Sequence, residues 1–458
     1  MSDRVTGAKA PAGDGGEGAI AWPPRKDANY SLFVMTIVVL FTVLDRTVLS
    51  LLIVPVKEDF GISDTQAALL MGAAFSLPYG AAGIVLGRMA DSGIRKNLIA
   101  WSIAFWSFST VACGGAQGFP SLVIARMGIG AGESGYGPAA WSIAADYWPP
   151  EKIAFATATM GMGATIGTGL ALFMGGAVLQ LTSGLPPMEI AGLGVIRPWQ
   201  WTFIIVGAPG LIWALAVMTT REPPRRGLPI GQAAQKVPVK ETAKWIMDDW
   251  RSYLATVGGM AIKAMLLAVP LSWNSTLIYR EFHWPLAKIG MVTGTVAIIV
   301  SPIALMLGAK VSEIWTRSGR NDANLRIVFY GTLATVPLMI ISPLIPNPYL
   351  MISCNALIGF VGMIGFGPSV AAFQVITPNH MRGQIGALTQ FSNHVIAFGL
   401  SPLIVALFTD YLFRDEAALK YSMALNAIIM GTISLFVIGQ GLKPYARSVE
   451  RAKRDFPN

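Results

Sequence analysis

The chain has 458 residues, of which 53% are hydrophobic and only 13% charged. A soluble domain carries about a quarter charged residues, so this chain lacks the polar shell that a water-soluble body of its size needs. The net charge of +9 does not mark a nucleic-acid surface, because the basic residues sit in short loops between apolar runs.

Residues 1–28 are rich in Gly, Ala and Pro, lack the apolar core of a secretory signal, and predict a disordered cytoplasmic tail. A membrane crossing needs about 20 mainly apolar residues. Such runs predict twelve spans, near residues 30–55, 64–90, 97–116, 120–145, 153–180, 199–220, 251–279, 286–311, 325–345, 348–376, 383–410 and 420–440. The domains that follow are an N-terminal six-helix half at 29–220, a cytoplasmic linker at 221–250, a C-terminal six-helix half at 251–441 and a polar tail at 442–458. The linker is basic and Pro-containing, with an amphipathic helix expected around Lys240–Trp250.

Ionisable groups inside a bilayer are costly and usually functional. The first span carries Asp45 beside Arg46, about 20 Å from its cytoplasmic end at 1.5 Å per residue. The fourth carries Arg126 and Glu133, seven residues and about 10 Å apart on one helix face. Adjacent residues point about 100° apart on a helix, so Asp45 and Arg46 need different partners. Glu133 is expected to meet Arg46, and Asp45 to approach Arg126, in at least one conformation of the transport cycle. Breaking such a pair swings the proton affinity of a buried carboxylate, because desolvation and a nearby cation act on it in opposite senses. Glu133 is the first candidate proton carrier and Asp45 the second. A static pair that only holds helices together is the competing reading.

In the fifth span, Gly163, Gly167 and Gly169 predict close helix packing rather than chemistry. Lys263, in the seventh, either contacts an anionic headgroup or snorkels to the interface. Asn274 and Tyr136 are further candidate cavity residues. The eleventh span groups Gln390, Asn393 and His394, with Asn393 a candidate for substrate; His394 could titrate near neutrality, but a hydrogen-bonded structural role is the favoured reading. Cys113 and Cys354 lie in apolar stretches and suggest neither disulfide nor metal site. No metal or cofactor is expected, and the proton is the expected coupling ion.

Two patterns organise these spans. Gly135-Tyr136-Gly137-Pro138 in the fourth returns as Gly365-Phe366-Gly367-Pro368 in the tenth, 230 residues later. Such internal repeats suit a transporter whose halves rock about a midplane site. Of 34 Lys and Arg, 25 fall on one side if the N-terminus is inside, six fall on the other and three lie within spans. That bias places both termini in the cytoplasm.

The loop Gly87-Arg88-Met89-Ala90-Asp91-Ser92-Gly93-Ile94-Arg95-Lys96 resembles the signature of the major facilitator superfamily. Gly87 and Gly93 would permit close approach and a tight turn. Asp91 would pair with a neighbouring helix end, and Arg95 and Lys96 would hold the cytoplasmic face. The resemblance implies a gate latched by charge when the protein opens outward. Arg126 to Glu133, with its spaced glycines, resembles the fourth-helix pattern of the same superfamily. The proline-centred antiporter pattern of the fifth helix is absent.

Leu44-Asp45-Arg46-Thr47-Val48-Leu49, the stretch Pro55 to Gly61, and Arg126 through Pro138 together resemble the Spinster branch, whose bacterial members are about this length. The likeness covers the first five spans well and the C-terminal half only generally. Ser134 departs from the alanine expected after the glutamate. The resemblance implies an all-α polytopic membrane protein with the major facilitator fold, twelve helices in two pseudo-symmetric halves. It implies transport of a lysolipid or sphingoid lipid, such as sphingosine-1-phosphate, with Asp45, Arg46, Arg126 and Glu133 as cavity charges. The alternative is a transporter of small organic anions or sugar acids, with Arg46 and Arg126 as carboxylate clamps. No enzymatic constellation is present in the sequence. The expected setting is a monomer in the bacterial inner membrane, with an amphiphile and not nucleic acid as partner.

Overall fold

The computed structural model describes residues 22–190, 194–225, 238–378 and 381–455, without the side chains at 91, 92, 150, 151, 154, 190 and 455. Among the described residues, eleven helices are long and apolar enough to cross a membrane. The remaining pass, the fourth, is built from two shorter helices, Phe119–Glu133 and Tyr136–Tyr147. Twelve passes follow, and an even number brings the start of the first and the end of the twelfth to the same end of the bundle, here termed the terminal end.

The repeat seen in the sequence is also a repeat of structure. The tenth pass breaks as the fourth does, into Pro348–Ile364 and Phe366–Val375. Both breaks fall on the Gly-aromatic-Gly-Pro motif. Proline one turn into the second half-helix offers no N–H to the preceding turn, so the ladder is interrupted at the same place in each half. Pro149 precedes the fifth pass, Pro150–Thr182, and Pro378 follows the tenth.

The first pass, Arg25–Phe60, ends at Gly61, whose φ of 62° closes the helix in the left-handed region. Ser63 and Gln66 form a capping box that starts the second pass at Asp64. That pass breaks at Gly72 and resumes at Ala73–Ser92. The third and sixth passes are Arg95–Gly114 and Pro198–Thr219. The expectation of an all-helical chain gains one exception. Between the fifth and sixth passes, Met188–Ile190 pairs antiparallel with Gly194–Ile196 as a small hairpin.

The linker helix is Val239–Asp248. Its Trp245 and Ile246 pack on the C-terminal half, and the Trp245 indole donates to the Tyr253 hydroxyl at 3.0 Å. The seventh pass runs from Trp250 to Phe282 through a π-helical segment at Leu254–Gly258. The eighth and ninth are Leu286–Arg317 and Ala323–Ile341. The eleventh begins with Arg382–Ser392, continues as a π-helix at Asn393–Leu400, and proceeds through Ser401–Leu407. The twelfth is Leu419–Asp455.

The halves meet along the end opposite the termini. Glycines of the fifth and eighth passes interlock there. A Cβ on Gly169 would stand 2.7 Å from the Gly294 carbonyl oxygen, and one on Gly176 would stand 2.6 Å from that of Ala287. Small residues let membrane helices approach backbone to backbone, which is the main source of their packing energy. Gly163 and Gly167 serve the first pass in the same way, against the carbonyls of Thr36 and Leu40. By contrast, Tyr136–Tyr147 and Phe366–Val375, which lead to the terminal end, pack chiefly within their own halves. The bundle is therefore closed at the far end.

Candidate functional site

Two ion pairs lock the far end across the halves. Asp64, fully buried, accepts from Arg280 of the seventh pass at 2.7 and 2.9 Å and from Lys57 at 2.7 Å. Lys57 also reaches Glu416 at 2.6 Å. Asp410 of the eleventh pass accepts from the Thr65 amide and hydroxyl, both at 2.7 Å. A pocket of about 500 Å³ lies beside this latch, with Trp273, Thr276 and Tyr279 in its wall. It begins two helical turns from Arg46 and belongs to the latch.

The intramembrane charges converge within the N-terminal half. Arg46 Nη2 donates to Glu133 Oε2 at 2.8 Å, the pairing expected from the sequence. The Arg46 guanidinium sits 4.4 Å from the Phe75 ring centre and within 6 Å of Tyr79 and Phe398. Cations are attracted to aromatic faces, more so where water is excluded. Phe75 also lies 5.7 Å from the Arg126 guanidinium, so one ring serves both arginines. Gly130 allows this arrangement, since a Cβ there would stand 2.1 Å from the Phe75 carbonyl oxygen.

The second expected pair is not an ion pair in this state. Arg126 donates to backbone carbonyls, those of Leu70 and Asp45, each at 3.3 Å, and makes no ion pair with the Asp45 carboxylate. The reason is local geometry. Asp45 turns its carbonyl toward the fourth pass, while its side chain lies near Thr110 and Trp106 of the third. Asp45 Oδ1, Arg46 Nε, Arg126 Nη2 and Glu133 Oε1 are buried without a hydrogen-bond partner in the protein. Charged groups left this incompletely satisfied are expensive, and their presence calls for a reason beyond packing.

The other site candidates divide. Tyr136 is committed to structure, its hydroxyl donating to the Met35 carbonyl at 2.7 Å. Asn274 faces the interior of the C-terminal half, with Met339, Asn355 and Met423, and not the charge cluster. Lys263 neither snorkels nor joins the cluster. It is buried, and its amine occupies the space a side chain at position 365 would fill, 2.4 Å from an ideal Cβ there. This puts a cation at the C-terminal end of the Pro348–Ile364 half-helix, where the carbonyl dipoles favour one. Asn393 opens the π-helical segment and is half-buried.

His394, expected to be structural, is instead at the cluster. Its Nε2 lies 3.4 Å from Arg46 Nη1, its Nδ1 lies 2.9 Å from the Gln390 carbonyl, and its ring stacks on Tyr79 at 4.1 Å. Tyr79 and Phe75, four residues apart on one helix face, were the sequence signal for this aromatic wall.

The loop motif forms a clamp. Arg95 is wholly buried and donates to Glu222 at 2.7 Å, to Ser142 at 2.8 Å, to the Pro223 carbonyl at 3.0 Å, and to Asp146. It was expected to hold a membrane face. At the terminal end it ties the third, fourth and sixth passes of one half together, because Asp146 and Glu222 bring their carboxylates to it. Lys96 binds Glu222 through its amide at 3.0 Å. Gly87 has open space where its Cβ would stand, so the close approach expected there is not used in this state. Gly93 ends the second pass with its Cβ site 3.0 Å from the Met89 carbonyl oxygen. The Asp91 side chain lies outside the described residues.

A twelve-pass bundle of two related halves, sealed at one end and holding incompletely satisfied charges deep in its N-terminal half, is the architecture of a secondary transporter. The chain belongs to the Major Facilitator Superfamily, whose pattern matches residues 35–402. Its fold is similar to a solved bacterial homolog of the human lysosomal transporter Spinster, described as inward-facing and unoccupied. The TM-score is 0.75 at 23% identity, over 94% of this chain and 99% of that one. In sequence it is 25% identical to an MFS-type efflux pump of Mycolicibacterium smegmatis, over 89% of this chain and 90% of the relative. It is 22% identical to the D-galactonate transporter of Escherichia coli, over 91% and 96%.

Proposed function

We propose that this transporter moves an amphiphile of the lysolipid or sphingoid type by alternating access, coupled to protons. The observation that supports this reading most is the Arg46–Glu133 pair in its aromatic surround. Arg46 keeps 18% of its side-chain surface exposed while Glu133 keeps none. An incoming phosphate or carboxylate therefore meets the guanidinium first and competes with Glu133 for it. A carboxylate that loses its cation in a buried setting favours the protonated form. Substrate capture and proton uptake are then one exchange at Arg46, with Glu133 as the carrier and Asp45 in reserve. Phe75, Tyr79 and Phe398 offer apolar faces to the adjoining chain, and Arg126 adds a second cation. The resemblance of the first and fourth spans to the Spinster branch is the sequence argument for the lipid class.

The lysine and arginine distribution supports a cytoplasmic terminal end, and in that orientation the described state opens inward. In this reading the halves comprise residues 29–220 and 251–441, joined by 221–250, and the protein works as a monomer in the bacterial inner membrane without a metal or cofactor. A second reading, transport of small organic anions, draws on the two arginines and on the likeness to a D-galactonate transporter.

Competition separates the two. Purified protein in liposomes should take up a labelled lysophospholipid. Unlabelled long-chain lysolipid should reduce that uptake at least about tenfold when in large excess, while galactonate should leave it unchanged. Galactonate uptake with no lysolipid uptake would reverse the assignment.

A further inference from the structure

His394 stands out because it belongs to the C-terminal half yet touches the charge pair of the N-terminal half. Its environment fixes its protonation. The Gln390 carbonyl, 2.9 Å from Nδ1, can only accept, so Nδ1 carries a hydrogen. Arg46 Nη1, 3.4 Å from Nε2, can only donate, so Nε2 presents its lone pair. The imidazole in this far-closed state is neutral, with one tautomer selected by its two neighbours.

The backbone around it is arranged to hold this contact. The π-helical segment begins at Asn393, one residue earlier. Such segments occur often at functional sites, because the wider turn redirects side chains. The same segment seats in the break of the second pass. A Cβ on Gly72 would stand 2.5 Å from the Gly399 carbonyl oxygen and 2.9 Å from that of Phe398. Two helix irregularities from opposite halves are thus nested, and they set the His394 ring flat on Tyr79, with an interplanar angle of 7°.

We propose that His394 is a positioning residue through which the C-terminal half senses Arg46: neutral, it holds the far-closed state, and protonated, it releases that state. A proton on Nε2 would replace an acceptor with a second cation against the guanidinium. The charged and titratable groups facing it are few. The first pass presents Arg46, itself paired with Glu133 of the fourth, and the second presents the Tyr79 phenol. The seventh pass carries Lys263, whose amine turns away to Gly365. Among the described residues, no carboxylate touches the ring directly to offset a new positive charge. The inference rests on the alternating-access reading above but not on the identity of the substrate.

The test reads conformation rather than transport. Spin labels at Lys152→Cys and Val375→Cys, both exposed near the terminal end of opposite halves, report the distance between them. The background replaces Cys113 and Cys354, and the protein is in lipid nanodiscs without substrate. In the far-open state the contact with Arg46 is broken, and an imidazole freed of it titrates near neutrality, so protonation there should draw the wild type toward the far-open state, with a shorter label distance, between about pH 8 and about pH 5. His394→Gln keeps an acceptor for Arg46 and cannot gain the charge. It should stay far-closed and lose most of the shift. His394→Phe keeps the stack on Tyr79 and loses the acceptor, and should populate the far-open state even at the higher pH. Wild-type distances that ignore pH, or both variants tracking the wild type, would overturn the proposal. Glu133→Gln, measured alongside, should retain the His394 response. If it alone abolishes the shift, the sensing belongs to Glu133 and the proposal fails.

Discussion

Arg46 makes more kinds of contact than any other charged side chain in the cluster. It holds a carboxylate, a neutral imidazole and three aromatic faces. Removing one partner of a buried pair strands the other charge, at a cost of about 3–5 kcal/mol in well-studied proteins. Arg46→Ala should therefore destabilise the detergent-purified protein by several degrees in a thermal melt. Glu133→Gln in the same chain should restore much of that loss, because no buried anion is then left unpaired. Equal and additive losses in the two single variants and the double would show that the residues act independently. The Arg46–Glu133 pair was legible from the sequence, since both residues are charged, both lie deep in spans, and few other partners exist. Asp45 and Arg126, expected to approach in at least one conformation, meet in this state through the Asp45 carbonyl and not through its carboxylate. Sequence spacing gives the direction of a side chain about its own helix, but not whether a neighbour offers a carbonyl first. His394 was undervalued because its partner lies 348 residues away in the other half, and no local pattern announces such a contact.

The irregular elements repay attention more than the regular ones. Hydropathy located every pass, including the fourth, but it could not show that the fourth and tenth break at their repeated motifs. The second pass breaks at Gly72 and the eleventh loosens into a π-helix at Asn393, and these are the surfaces that meet. Gly72→Ala would force a methyl group against two carbonyl oxygens, an overpacking that costs about 1–3 kcal/mol. Because the clash exists only while the halves are joined at the far end, the variant should shift the population toward the far-open state. The spin-label distance described above checks this: a distribution unchanged from wild type would mean that the two passes part without energetic consequence. The glycines of the fifth pass were correctly read as packing, since small residues spaced along an apolar helix have few other uses. The partners of Arg95 were not legible for the opposite reason. Its partners Asp146 and Glu222 lie in separate segments, and only the fold brings them to it.

At the scale of the whole molecule, the fold and the number of passes were open to the sequence, because length, charge depletion and the 230-residue repeat all constrain them. The state of the molecule was not. Closure at the far end depends on Asp64, Lys57, Arg280, Glu416 and Asp410, which the sequence presents as ordinary loop charges. They become a latch only when two halves dock. The account built on this state is that proton uptake at Glu133 and substrate capture at Arg46 are one event. The measurement closest to that claim is uptake of labelled lysophospholipid by proteoliposomes under an imposed proton gradient, compared between wild type and Glu133→Gln. The account predicts that the gradient accelerates wild-type uptake several-fold and that the variant, though folded, loses this acceleration. Wild-type uptake indifferent to the gradient, or a Glu133→Gln protein that responds to it as fully as wild type, would contradict the coupling.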